Sequence, residues 1–217
     1  MLEVNEDEIE FKDGEFVALK SNKKKTIGEV AFACYLPGQR DEMKSPIPEG
    51  DEPGLIESSF FDPANFSFPA GSHICEVEID RSTGKCFLQD YIAVEDVGTA
   101  LFPILIEGQI LGGIVQGISQ ALGESLIYDE TGQLSTGSFM DYQMPIASDF
   151  PKFRIKTYPV KTKINPLGAK GVGESGTVGA LAATLSAIQD ALKSEGSDAV
   201  EMPATPNRIW KKLNNVK

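Results

Sequence analysis

The fold is decided by the stretch His73-Ile-Cys-Glu-Val-Glu-Ile-Asp80, Arg81-Ser-Thr-Gly-Lys85 and Cys86-Phe-Leu-Gln-Asp-Tyr-Ile-Ala-Val94. The first segment alternates apolar and polar side chains, which is the period of a strand with one buried face. The polar middle segment contains a glycine and is typical of a turn. The last segment, rich in aromatic and β-branched residues, is typical of a returning strand. We therefore predict a β-hairpin at the centre of the chain.

A glycine-rich helix is predicted after this hairpin, over Ile104–Leu126. Isoleucine or leucine recurs there every four residues from Ile106 to Leu122, as on one face of a helix. Each glycine inside a helix costs about 1 kcal/mol relative to alanine. The stretch nevertheless contains Gly108, Gly112, Gly113 and Gly117. Close approach of a second helix and close approach of a ligand would both explain them, and the pattern favours neither.

Shorter elements are predicted on both sides of this core. Before it we predict a hairpin over Glu8–Leu19 and a helix over Thr26–Tyr35 that is capped by Thr26 and Glu29. After the glycine-rich helix we predict extended sequence up to Pro145, an edge strand over Lys152–Lys163, a helix over Thr177–Lys193 and a closing helix over Thr205–Leu213. One face of the helix over Thr177–Lys193, predicted to be buried, carries Leu181, Ala182, Leu185, Ile188 and Leu192. Hairpins and helices come in blocks without βα alternation, so the predicted fold class is α+β, a mixed sheet with packed helices. Pro37–Pro53, rich in Pro, Gly and charge, is predicted to be a linker or an exposed loop, and the chain is divided into domains over residues 1–55 and 56–217.

The composition narrows the classes of function. The 217 residues carry a net charge of −12, with 41% apolar and 24% charged residues. Such acidity argues against binding nucleic acid or an anionic membrane surface, both of which favour a basic face. The chain contains neither an apolar run long enough for a membrane span nor the pattern of a signal peptide at its start, so we expect a cytoplasmic protein.

Cysteine and histidine are scarce. Cys34, Cys75 and Cys86 lack the spacing of a zinc or iron–sulfur site, so we predict reduced, partly buried thiols. His73 is the only histidine, which excludes a histidine-based catalytic triad or a two-histidine metal site within the chain. We expect His73 to have a structural or surface role.

The glycine loop Gly168-Ala-Lys-Gly-Val-Gly-Glu-Ser-Gly-Thr-Val-Gly179 precedes a predicted helix. Its one carboxylate, Glu174, is either a cap for that helix or a base held against something bound in the loop. Residues 171–176 formally match GxGxxG, but Pro166 interrupts any strand before the loop and no strand is predicted after the helix. A dinucleotide fingerprint is therefore excluded, and a Walker loop is excluded because no Gly-Lys-[Ser/Thr] closes the motif.

Three motifs in order carry a resemblance to a known family. They are Glu107-Gly-Gln-Ile-Leu-Gly-Gly-Ile-Val-Gln-Gly117, Gly137-Ser-Phe-Met-Asp-Tyr-Gln-Met-Pro145 and Gly168-Ala-Lys-Gly-Val-Gly-Glu174, followed by Met202-Pro-Ala-Thr-Pro-Asn-Arg-Ile-Trp210. The region from about Phe61 to Trp210 resembles the C-terminal part of the molybdenum-binding large subunit of the xanthine oxidase family, in particular its carbon monoxide dehydrogenase-like and aldehyde oxidoreductase-like chains. Ala100-Leu-Phe-Pro103 departs from the more polar sequence usual there.

The resemblance implies roles for particular residues. Glu174 corresponds to the general base, and Gln116 to the glutamine that contacts the pterin of the molybdenum cofactor. The other residues implied to line the cofactor are Gly112, Gly113 and Gly117 on the helix and Lys170, Gly171, Val172 and Gly173 in the loop.

The resemblance also implies cofactors and partners. The cofactor would be molybdenum–molybdopterin, with the cytosine dinucleotide form as one option, while partner chains would carry iron–sulfur clusters and FAD. Partners would be the remaining large-subunit portion, an iron–sulfur subunit and an FAD subunit. The substrate would be a small aldehyde, N-heterocycle or CO-type molecule. The family's large chains are much longer, so we expect a fragment, a split subunit or a shortened gene product. The competing hypothesis is a non-catalytic structural or interaction remnant without cofactor.

Overall fold

The computed structural model describes residues 1–35, 53–197 and 199–216. Its chain divides into two compact units, Met1–Asp62 and Pro63–Lys217. The predicted linker over Pro37–Pro53 lies outside the described residues except at its last position, and the proposed division near residue 55 stays a prediction. No helix in the described ranges combines the length and the apolar character needed to cross a membrane. A cytoplasmic location stays a prediction.

In the described residues of the first unit, a small antiparallel sheet is followed by an α-helix. Strands β1 (Ile9–Lys12), β2 (Glu15–Ala18) and β3 (Lys24–Thr26) lie in that order. The turn between β1 and β2 has positive φ at both Asp13 and Gly14, as a tight hairpin requires. Helix α1 (Ile27–Tyr35) begins with the predicted capping box, in which the Glu29 N–H donates to Thr26 Oγ1 over 3.1 Å and the Thr26 N–H donates to Glu29 Oε2 over 2.9 Å.

The second unit contains a mixed sheet. Strands β4 (Ala70–Ile79) and β5 (Cys86–Asp96) form the predicted hairpin, with His73 opposite Ala93. Strand β6 (Arg154–Thr157) pairs with β5 in parallel at the sheet edge. The edge strand is therefore confirmed, but it is shorter than the predicted Lys152–Lys163. Its parallel pairing was not predicted, because the partner lies about sixty residues earlier in the chain.

The described part of the second unit also contains the α-helices α2 (Pro103–Leu122), α3 (Ser175–Lys193) and α4 (Pro206–Leu213). Helix α2 ends four residues before the predicted Leu126, because Gly123 closes its last turn by donating to Ser119 O. The stretch predicted as extended up to Pro145 contains no strand in the structure, only an isolated bridge between Tyr128 and Leu134. The closing helix is confirmed, with Thr205 Oγ1 accepting from the Arg208 N–H.

The core of the second unit lies where α2, α3 and the sheet meet. One buried cluster comprises Tyr91, Ala93, Ile110, Ile114, Ile118 and Ala180, and a second comprises Ile188, Leu192, Val200, Ala204 and Ile209. The predicted buried face of α3 is correct for Ile188 and Leu192 and wrong for Ala182, which is exposed. The N-terminal half of α3 buries Gly176, Ala180 and Thr184 instead. Gly176 and Ala180 are small enough to allow the close approach of α2 there.

Candidate functional site

The crossing of α2 and α3 brings the glycine-rich helix and the glycine loop together. A Cβ atom at Gly117 would lie 2.7 Å from Thr177 O and 2.8 Å from the Ala180 side chain. One at Gly113 would lie 3.0 Å from Thr177 N. The two helices run in the same direction, since contacts advance along both together. Helix packing therefore explains Gly113 and Gly117, whose open side is filled by α3 rather than available to a ligand.

The other two glycines of α2 face open space. A Cβ at Gly108 or Gly112 would have no atom of the described chain within 4 Å. Gly112 lies in an exposed stripe with Gln109 and Gln116, spaced so that all three share one side of the helix. Gln109 Nε2 donates to Gly173 O over 2.7 Å, which joins this stripe to the glycine loop. Gln116 lies two turns further, about 10 Å along the helix axis.

The glycine loop is anchored from inside and leaves its outer side free. The Val172 side chain packs against the first core cluster, so only its backbone remains to line a ligand. A Cβ at Gly171 or Gly173 would meet nothing within 4 Å among the described residues. The loop thus presents glycine backbone to open space, next to the exposed stripe of α2.

Glu174 lies at the junction between the glycine loop and α3. It is the N-cap residue, and its carbonyl accepts from the Val178 N–H over 3.1 Å. Its side chain is exposed and makes no capping hydrogen bond. The carboxylate therefore does not cap the helix through a hydrogen bond, which leaves its oxygens available to a group outside the helix.

Lys170, at the start of the loop, is held by Asp96. Its Nζ lies 2.5 Å from Asp96 Oδ2, and the two side chains are 14% and 15% exposed. Asp96 Oδ1 also accepts from the N–H groups of Gly98 and Val160, each over 2.9 Å. The hydrogen bond from Lys170 is the main reason that the pKa of Asp96 is lowered to about 2. The Lys170 side chain is thus engaged at the end of β5. Sequence reasoning missed both Asp96 and Gln109, although Gln109 precedes Gln116 by one heptad on the same helix.

The second motif, Gly137–Pro145, lies at the C-terminal end of α2. Tyr142 donates to Glu124 Oε2 over 2.5 Å, and the Gln143 side chain covers Gly123. A cavity of about 430 Å³ lies beside it, between the start of β5 and the segment before β6. The structure brings the motifs around Gln116 and Glu174 together, whereas Tyr142 supports the end of the helix.

The described residues include no group of three or more His, Cys, Asp or Glu side chains arranged to hold a metal ion. Burial raises the pKa of the Cys75 thiol to about 11 and that of the Cys86 thiol to about 12, so both are protonated at neutral pH. His73 is buried and bonded to Tyr91 and Glu95, which confirms a structural role and excludes a surface one.

Comparison with known proteins defines the class of this domain. The sequence model of the molybdopterin cofactor-binding domain family matches residues 1–151, so the chain belongs to that family. The carbon monoxide dehydrogenase large chain of Hydrogenophaga pseudoflava is 36% identical over 214 residues, covering 98% of this chain and 26% of that protein. The nicotine 6-hydroxylase large subunit of Paenarthrobacter nicotinovorans is 40% identical over 211 residues, covering 96% of this chain and 25% of that protein.

The structure of this chain is also similar to solved structures of such large subunits. Quinoline 2-oxidoreductase from Pseudomonas putida 86 superposes with a TM-score of 0.88 at 35% identity, covering 100% of this chain and 27% of the other. The α+β fold and the resemblance to xanthine oxidase-family large subunits are thereby confirmed. The chain spans about a quarter of the length of these relatives.

Proposed function

We propose that this chain supplies part of the molybdopterin site of a molybdenum-dependent oxidoreductase, with Glu174 as its general base. The observation that carries the proposal is the free, exposed carboxylate of Glu174, next to a glycine loop that Gln109 ties to the exposed stripe of α2. Membership of the cofactor-binding family supports the same assignment.

The residues at this site fit a flat, polar organic group. Open space over Gly112, Gly171 and Gly173 would let such a group approach the backbone closely. Gln116 is exposed on the same stripe, and its amide can both donate to and accept from a heterocycle. Backbone N–H groups of the loop, beside the start of α3, favour acceptor atoms of a bound ligand. Gly113 and Gly117 would contribute indirectly, by fixing the distance between α2 and α3.

When bound, the cofactor supplies the two-electron oxidation of the substrate. Glu174 accepts the proton of the oxygen nucleophile, a step in which a positioned carboxylate accelerates the reaction about 10²–10⁴-fold. Gln116 orients the cofactor, and the loop backbone from Lys170 to Gly173 lines it. A small aldehyde, N-heterocycle or CO-type molecule is the proposed substrate class, given what the relatives are named for.

The remaining parts of the enzyme would come from other polypeptide chains. We propose a complementary large-subunit portion, together with iron–sulfur and FAD subunits that carry electrons away. The chain's three cysteines are half-buried, and burial raises the pKa of two of them, Cys75 and Cys86. They lack the spacing of a ligand set for such clusters.

The test is Glu174→Gln in the assembled complex, with Glu130→Gln, an exposed loop glutamate, as matched control. We expect Glu174→Gln to lower turnover by at least about 100-fold while the molybdenum content per complex is unchanged, because only proton transfer is lost. Glu130→Gln should leave both unchanged. Turnover of Glu174→Gln close to that of the unsubstituted complex would contradict the proposal. Absence of molybdenum from the unsubstituted complex would establish the non-catalytic alternative instead.

A further inference from the structure

We propose that Asp96 is a positioning residue for the reaction of Glu174 and acts through Lys170. The inference rests on the proposed function, since it concerns the placement of the same carboxylate. Asp96 itself lies at the end of β5, away from the open side of the glycine loop, and its carboxylate is only 15% exposed.

The Asp96 carboxylate joins three separate segments of the second unit. Its Oδ1 accepts from Gly98 in the turn after β5 and from Val160 in the segment after β6, while Oδ2 binds Lys170 at the start of the glycine loop. A single side chain thereby fixes the loop to the end of the sheet. Both partners of the ion pair are largely removed from solvent, where such a pair is screened less than at the surface.

Backbone pairing reinforces the same connection. The Lys170 N–H donates to Val97 O over 2.9 Å, and the Thr99 N–H donates to Gly168 O over 3.0 Å. A Cβ at Gly98 would collide with Gly168 O, so the two segments are in direct contact. The start of the loop is therefore fixed to the sheet by main chain and side chain together.

Only three residues separate Lys170 from Glu174, and the loop has further anchors at Val172 and Gly173. Glycines on both sides of Val172 give this stretch little conformational preference of its own. Its geometry therefore depends on the anchors. Loss of the one at Lys170 should let the loop shift and displace the Glu174 carboxylate, and a misplacement of about 1 Å can cost about 10²-fold in rate.

The test uses Asp96→Asn and Lys170→Met in the assembled complex. Asp96→Asn keeps an oxygen for the N–H groups of Gly98 and Val160 but loses the ion pair, and Lys170→Met removes the same pair from the other side. Asp90→Asn is the matched control, because Asp90 also lies on β5 and pairs with an arginine, Arg154 of β6, outside the proposed site.

We expect each of the two variants to lower kcat by about 10-fold or more with KM changed less than about twofold, since Glu174 acts in the transition state. The kcat of the double variant should be no lower than that of the less active single variant, because both substitutions remove the same ion pair. Molybdenum content and thermal unfolding serve as checks on assembly. Asp90→Asn should leave kcat unchanged.

The two proposals fail separately. If Glu174→Gln retains activity, the proposed function is wrong. If Glu174→Gln is inactive while Asp96→Asn and Lys170→Met keep full kcat, the positioning role of Asp96 is wrong. Additive losses in the double variant would also overturn it, because they would show that Asp96 supports the site without Lys170. If the Asp96→Asn complex does not assemble, the Lys170→Met complex tests the proposal by itself. A kcat of Lys170→Met equal to that of the unsubstituted complex would then overturn the positioning role of Asp96.

Discussion

Nε2 of His73 lies 2.6 Å from Oε1 of Glu95, and the two side chains are 4% and 1% exposed. The other ring nitrogen of His73 lies 2.7 Å from the Tyr91 hydroxyl, whose pKa is raised by burial. A Cβ at Gly71 would lie 2.5 Å from the Glu95 carboxylate, and one at Gly179 would lie 2.5 Å from the His73 ring. Two glycines thus make room for a satisfied polar cluster between the β4–β5 hairpin and α3.

Removal of His73 should be among the most destabilising single changes. His73→Ala leaves the buried Glu95 side chain without its hydrogen-bond partner, which typically costs about 1–3 kcal/mol and more for a charged group. Tyr91→Phe removes one hydrogen bond while His73 keeps Glu95, and should cost about 1 kcal/mol. Urea unfolding of the folded chain measures both. A smaller loss for His73→Ala than for Tyr91→Phe would contradict this assignment of the cluster.

The glycines of α2 should separate into two classes when replaced by alanine. Gly117→Ala places a methyl group against Thr177 O and Ala180, so it should lower the free energy of unfolding by about 1–3 kcal/mol. At Gly108, in the same helix, the added methyl group of Gly108→Ala would face open space, so this variant should raise the free energy of unfolding by up to about 1 kcal/mol. Denaturant midpoints report the two effects. Equal effects of both variants would show that α2 and α3 are not in contact at Gly117.

Local sequence signals predicted the elements that depend on local interactions. The hairpin of β4 and β5, the Thr26–Glu29 capping box and the Thr205 cap with Pro206 are all present, because each requires only neighbouring residues. The parallel pairing of β5 with β6 depends on distant contacts, which periodicity does not encode. The buried half of α3 was misjudged because Gly176 and Thr184 are not apolar by type, although they are small enough to pack against neighbouring elements.

The candidate site was predictable in part. The motifs indicated Glu174, Gln116 and the loop, and the structure brings the loop against the helix that carries Gln116. Sequence could not separate Gly112 from Gly113, which are adjacent but face open space and α3 respectively. Nor could it pair Asp96 with Lys170, since an ion pair across 74 positions leaves no local pattern.

Gly112 provides a direct test of where the cofactor lies. Gly112→Ala and Gly108→Ala should both be tolerated by the isolated fold, because a methyl group at either position meets open space. Gly112 lies one turn from Gln116 on α2, whereas Gly108 lies two turns away, so we expect Gly112→Ala to lower the molybdenum content of the assembled complex more than Gly108→Ala does. Metal analysis of the two purified complexes, side by side, gives the result. Full molybdenum occupancy in Gly112→Ala would place the cofactor away from this stripe.

Asp96 should make the stability of the chain depend on acid pH. Its pKa is about 2 in the folded protein, against 3.8 for the ordinary group, mainly because Lys170 donates to it. Because the folded pKa is the lower one, its stabilising contribution is present above about pH 4 and is lost as pH falls toward 2. The difference in unfolding free energy between unsubstituted protein and Asp96→Asn should therefore be constant above about pH 5 and shrink between pH 4 and 2. Unfolding in urea at several pH values measures it. In a Lys170→Met background the difference should lose most of its pH dependence, and an unchanged dependence there would show that Lys170 does not set the pKa of Asp96.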